Sequence, residues 1–126
     1  PEYMYMHPEL REGGLEAVYA SAKEFGALVI QAHPFRDRDY IPEPNKPLDP
    51  QLLDGYEIFN LGNRPENNEK AAAELSQCGK ILTAGSDCHK EENPTRAGIE
   101  TNFRITNEKM LAEVLKSGNY TLFGTL

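Results

Sequence analysis

The apolar positions follow two alternating rhythms. In 14–25, "GLEAVYASAKEF", Leu15, Val18, Tyr19, Ala22 and Phe25 recur every three or four residues, the spacing of one helical face. Gly26 follows, where a left-handed cap ends a helix. The next segment, "ALVIQA" over 27–32, is nearly continuous in apolar residues and suits a strand buried on both faces of a parallel α/β sheet. "GYEIFN" predicts a second strand, and 66–78, "ENNEKAAAELSQC", predicts a second helix with Ala71, Leu75 and Cys78 inward and Gly79 as its cap. Strands are predicted over 80–87 ("KILTAGSD"), 102–106 ("NFRIT") and 120–124 ("YTLFG"). Between the last two, Thr106 or Asn107 is placed to cap a helix carrying Met110, Leu111, Val114 and Leu115, closed by Gly118.

Helices alternating with strands predict βα units and a mostly parallel sheet. The segment 34–50 breaks the rhythm: its five prolines and many charges predict a long loop. Loops of that length in compact domains are often functional. No internal repeat or interdomain linker is visible.

Composition narrows the classes. The chain has 126 residues, which fits one domain or part of one, and its 39% hydrophobic and 26% charged residues describe a soluble globule. No apolar run approaches the roughly 18 residues that span a membrane. A net charge of −7 without a block of Lys or Arg argues against a nucleic-acid surface built on phosphate neutralisation. Cys78 and Cys88 form no CxxC motif, which predicts a reducing, cytoplasmic setting. A start at Pro1 predicts a processed chain or a piece of something longer.

In βα proteins, chemistry gathers at the C-terminal strand ends. One predicted strand ends at His33-Pro34, the second carries Glu57 and ends at Asn60, and the third ends at Asp87 with His89 two residues on. On an extended chain, residues two apart point to one side, so Asp87 and His89 are expected to converge while Cys88 faces away. Imidazole with carboxylate is a ligand mix suited to zinc, manganese and iron. His33 offers a third ligand, and the small residues Ala84, Gly85 and Ser86 allow close approach. Each residue also has a plainer reading: Asp87 as a turn cap beside a surface histidine, Glu57 as a structural carboxylate, Cys88 as a packed thiol, and His7 as a surface residue outside any strand.

Taken together, "AHPFR" (32–36), "DGYEIFN" (54–60) and "AGSDCH" (84–89), in this order and spacing, resemble the PHP (polymerase and histidinol phosphatase) family. The resemblance implies that 1–126 is a partial PHP domain, the C-terminal portion of a distorted (β/α)7 barrel with mostly parallel strands. It implies a metal-dependent phosphoesterase with two or three divalent ions (zinc, manganese or iron) and a small phosphorylated substrate such as histidinol phosphate, a nucleotide or an oligonucleotide end. His33, Asp87 and His89 match metal-binding positions. Arg36 matches an arginine expected to hold a substrate phosphate and act in catalysis, with Arg96 and Lys90 as further substrate contacts and Asn60 either a substrate contact or a support for the other site residues. Glu57 matches a recurrent strand glutamate that is not a sure ligand.

The chain departs from the family in lacking its opening His-x-His motif; its three histidines are His7, His33 and His89. That departure places the remaining ligands upstream of Pro1. It predicts exposed strand edges that pack against the missing N-terminal half or a second copy, and low activity for this chain alone. The alternatives are a non-catalytic accessory module and a metal-dependent amidohydrolase-type barrel.

Overall fold

A computed structural model describes residues 6–92 and 96–124. The helix predicted over 14–25 forms as α2 (Gly14–Glu24), preceded by a short helix, α1 (Pro8–Glu12), that the apolar pattern does not signal. β1 (Ile30–Gln31), β2 (Gly55–Asn60) and β3 (Ile81–Gly85) form a three-stranded parallel sheet in that order. Ile30 pairs with Gly55, and Gly55 with Ile81; the second ladder shifts register between Glu57 and Phe59.

β1 departs from expectation. It keeps two residues of the predicted six-residue run and is half-buried. Among the described residues it pairs only with β2, at the edge of this sheet. Upstream, the Asp54 side chain takes over from the ladder: Val29 N–H donates to Asp54 Oδ2 at 2.8 Å, while Asp54 N–H donates to Val29 O at 2.7 Å.

The long loop forms as expected, ending in a single 3-10 turn over Pro50–Leu52. It is pinned where the proline-rich sequence allows no ladder. The Gln31 side chain donates to Lys46 O and accepts from Leu48 N–H, both at 2.8 Å. Tyr56 Oη donates to Leu48 O at 2.7 Å.

α3 (Pro65–Leu75) starts with proline at its first turn, where the missing N–H costs no helical bond. It lies on β2 and buries Ala71 and Leu75 with Phe35, Leu53 and Tyr56; Val29 and Ile58 border this core. Cys78 is exposed, not inward, because the helix stops at Leu75.

The C-terminal region adds an antiparallel pair to the three parallel strands. β4 is Ala97–Glu100, and it pairs antiparallel with β5 (Thr121–Gly124). The segment 102–106 is not a strand: Asn102, Phe103 and Arg104 are exposed there, so its alternation has no face to bury. "AGIE" forms the ladder instead, because Gly98 leaves room for the Phe123 ring, 3.2 Å from where a Cβ would sit. α4 (Glu108–Ser117) joins the two strands. Asn107 caps it, accepting from Met110 N–H at 2.8 Å, and Gly118 closes it at φ 70°. Among the described residues, no helix is long and apolar enough to cross a membrane.

Candidate functional site

The C-terminal ends of the three parallel strands meet in one polar cluster. The chain leaves β1 and turns at His33, whose φ of 35° lies in the left-handed region. The turn aims the His33 N–H at Glu57 Oε2, 2.8 Å away. The His33 ring faces the long loop, with Nδ1 3.3 Å from Asn45 Nδ2. Asn45 is held there by its own N–H, which donates to Arg36 O at 2.9 Å.

Glu57 is half-buried on β2 and works inside the cluster. Its Oε2 also accepts from Asn60 Nδ2 at 2.9 Å, and its Oε1 lies where a Cβ on Gly85 would collide. The glycine in the Gly-Ser-Asp stretch thus admits a neighbouring strand's carboxylate.

β3 ends at Gly85, and Asp87 follows at φ 55°, a left-handed conformation that aspartate tolerates better than most residues. This corrects the route by which Asp87 and His89 meet. A turn, not strand alternation, brings them together: His89 Nδ1 lies 2.7 Å from Asp87 O and 3.8 Å from Asp87 Oδ1. The Asp87 side chain is 21% exposed and that of His89 76%. Cys88 is exposed, not packed, and its Sγ donates to Lys90 O at 3.2 Å. Burial pushes the Asp87 carboxyl up, but the Arg36 hydrogen bond and charge, aided by His89 and His33, outweigh it and hold the carboxyl below its ordinary value.

Arg36 sits at the centre. Its Nη2 donates to Asp87 Oδ2 at 2.5 Å and to Asn60 Oδ1 at 2.9 Å, and its Nε donates to Asn63 Oδ1 at 3.0 Å. It is 9% exposed. Asn60, expected either to support the site's other side chains or to contact substrate, is 2% exposed, and its amide serves Arg36, Glu57 and the Gly62 N–H. Burial gives it a supporting place. Arg96 is exposed just before β4, and Lys90 is exposed in the loop after the Asp-x-His pair. His7 lies far off in sequence, beside Glu9 at the start of α1.

Sequence reasoning missed three members of the cluster. Asn68, on α3, is 6% exposed; its Oδ1 accepts from Asn60 N–H at 3.1 Å and from Asn63 Nδ2 at 2.9 Å, while its Nδ2 donates to Asn60 O at 3.0 Å. Asn63 links this amide to Arg36. Gly62 brings backbone so close that a Cβ there would stand 2.6 Å from Asp87 Oδ2. The signal available was "NLGNRPENN" (60–68), four asparagines in nine residues directly after a strand.

As a metal site the donors fit by type and in part by position. Asp87 and His89 are close enough to share an ion, and His33 acts on Asp87 electrostatically. Among the described residues, no three His, Cys, Asp or Glu side chains form a ligand set. The Arg36 ion pair occupies one carboxylate oxygen of Asp87 and leaves Oδ1 for a second partner.

Residues 65–120 match the family model described as PHP-associated. No curated protein matches the chain. A solved structure from Bifidobacterium adolescentis, a "putative metal-dependent phosphoesterase", is similar in fold: TM-score 0.50 and 24% identity over 82% of this chain and 36% of that one. The chain therefore spans about a third of that protein's length.

Proposed function

From the match of residues 65–120 to the PHP-associated family model, we propose that the chain is part of a metal-dependent phosphoesterase acting on a small phosphorylated substrate. One observation carries the reading: Asp87 Oδ1 and His89 Nδ1, 3.8 Å apart at the carboxyl end of a parallel sheet. The description of the Bifidobacterium adolescentis protein as metal-dependent supports it.

In this reading Asp87, His89 and His33 hold part of a divalent-metal site of zinc, manganese or iron, and the remaining ligands come from an upstream part of the protein or a second copy. A divalent ion there supplies an acidified water and neutralises phosphate charge. Glu57 orients the His33 backbone, and Asn60 fixes Glu57. Arg36 holds Asp87, and the ion pair directs its charge to that carboxylate rather than to a phosphate. Arg96 and Lys90, both exposed, are the candidate contacts to non-reacting phosphate oxygens. The 34–50 loop borders the mouth and limits substrate size.

Bound zinc and manganese in the purified chain, measured beside Asp87→Ala and His89→Ala, test the reading. The expected outcome is metal in the wild type and at least a tenfold loss of affinity in both variants, consistent with the usual weight of a ligand or its immediate partner. Metal that binds equally in all three proteins refutes it. This chain alone is expected to hydrolyse phosphoesters far more slowly than the longer protein.

The Arg36–Asp87 ion pair favours a second reading, a non-catalytic accessory module in which Asp87 is a structural carboxylate. In that case Asp87→Ala destabilises the fold, and zinc loading leaves the wild-type melting temperature unchanged.

A further inference from the structure

The asparagines after β2 form a buried relay whose far end lies on a helix. Asn68 satisfies both backbone groups of Asn60 at once, accepting from its N–H at 3.1 Å and donating to its C=O at 3.0 Å. A single amide so placed acts as a strand partner and fixes where β2 stops. The same Oδ1 accepts from Asn63 Nδ2 at 2.9 Å, which commits the Asn63 carbonyl oxygen to Arg36 Nε. Asn60, held by its backbone, presents its own Oδ1 to Arg36 Nη2. Arg36 thereby has two fixed acceptors, and its remaining bond on Nη2 goes to Asp87 Oδ2 at 2.5 Å.

We propose that Asn68 on α3 is a positioning residue for the site, acting through Asn60, Asn63 and Arg36 to hold Asp87 with one carboxylate oxygen engaged and the other turned toward His89. Three properties support this beyond fold maintenance. The relay is buried throughout: Asn60, Asn63, Asn68 and Arg36 are 2%, 8%, 6% and 9% exposed. A buried amide network of this kind is costly unless every group is partnered, and among the described residues no buried side-chain nitrogen or oxygen lacks a hydrogen bond. The relay also ends on a residue with left-handed backbone, a conformation that aspartate adopts at some cost and that surrounding bonds help to hold. Finally, Gly62 closes the space around the Arg36–Asp87 contact, so the carboxylate has little room to rotate once Arg36 is placed.

The effect on metal binding rests on the metal-dependent reading above; the effect on Arg36 does not. Two readouts on the whole chain therefore separate the two ideas. The first is hydrogen exchange at Arg36 Nε–H, followed by ¹⁵N NMR without metal. The second is zinc affinity by titration. Asn68→Ala is expected to speed Nε–H exchange at least tenfold and to weaken zinc binding about tenfold, as loss of an outer partner typically does. Leu75→Ala, a core change on the same helix outside the relay, is the control for general loosening and is expected to move neither by that factor. If Asn68→Ala does not fold, Asn63→Ala removes the direct acceptor of Arg36 Nε and is read by the same two criteria.

Wild-type exchange rates and zinc affinity in a folded Asn68→Ala or Asn63→Ala chain overturn the proposal. Equal changes in Leu75→Ala overturn it as well, since they reduce Asn68 to a stability residue. A wild-type chain that binds no zinc but loses Nε–H protection in Asn68→Ala retains the relay and removes the metal reading. The reverse, zinc binding that is weakened with Arg36 protection unchanged, rejects the relay and leaves the metal reading intact.

Discussion

At Gly62 the cluster leaves no space for a methyl group. A Cβ there would lie 2.6 Å from Asp87 Oδ2, 3.1 Å from Asn60 Oδ1 and 3.2 Å from Arg36 Nη2. Gly62 does not have a left-handed backbone, so the demand for glycine is one of contact and not of φ. Gly62→Ala is expected to cost about 2 kcal/mol, in the range of overpacking a tight site. Urea unfolding of the metal-free chain checks this; a loss below a few tenths of a kcal/mol would mean that the ion pair moves aside freely. Such residue-level needs were unevenly legible. His33, Arg36, Asp87 and His89 stand in short motifs whose chemistry shows locally. Asn63 and Asn68 carry no local signature, because an amide becomes informative only when a fold closes around it and leaves it one set of partners. Arg36 was legible as a member of a motif, but its partners were not, and they turn its charge toward a carboxylate.

Among the elements, those with strong periodicity and capping formed close to where the apolar pattern put them. α4 is the clearest case: Asn107 at its start, Val114 and Leu115 buried, and Gly118 at its end. Asn107→Ala removes the acceptor for Met110 N–H and is expected to cost about 1 kcal/mol, measurable as a lower urea midpoint with unchanged slope. β1 and β4 were legible poorly, for a shared reason. A short strand is defined by its neighbour more than by its own residues. "ALVIQA" lost most of its predicted length because the Asp54 side chain supplies the pairing before Ile30. "AGIE" became a strand because Gly98 makes room for Phe123, a fact located 25 residues downstream. The antiparallel β4–β5 pair followed from the same long-range fit, which alternation within 102–106 could not reveal.

For the molecule as a whole, three groups tie stability to alkaline pH. Lys23 is raised above its ordinary value chiefly by its hydrogen bond to Asp54, which ties α2 to the start of β2. Burial raises Tyr56 and Tyr120. In all three the folded state holds its proton to higher pH than the unfolded chain does. Each contribution is therefore complete below the unfolded pKa, about 10 for tyrosine and lysine, and is lost as pH rises through the folded value. Urea stability is expected to be level from neutrality to about pH 9 with respect to these groups and to fall above about pH 10. Lys23→Met and Tyr56→Phe should each flatten part of that fall; an unchanged alkaline slope in both would count against the assignment. None of this was readable from a net charge of −7, since the shifts arise from three specific environments.

The left-handed turn at His33 has a consequence for how variants of this chain should be sorted. A histidine at φ 35° sits where glycine would be more comfortable. Replacing it is expected to relieve up to about 1 kcal/mol of backbone strain while deleting an imidazole from the mouth. His33→Gly should then melt at or above the wild-type temperature and bind zinc more weakly, and a clearly lower melting temperature would contradict this. Melting temperature and zinc affinity, read side by side in His33→Gly, thus separate what the backbone at position 33 costs from what the ring contributes.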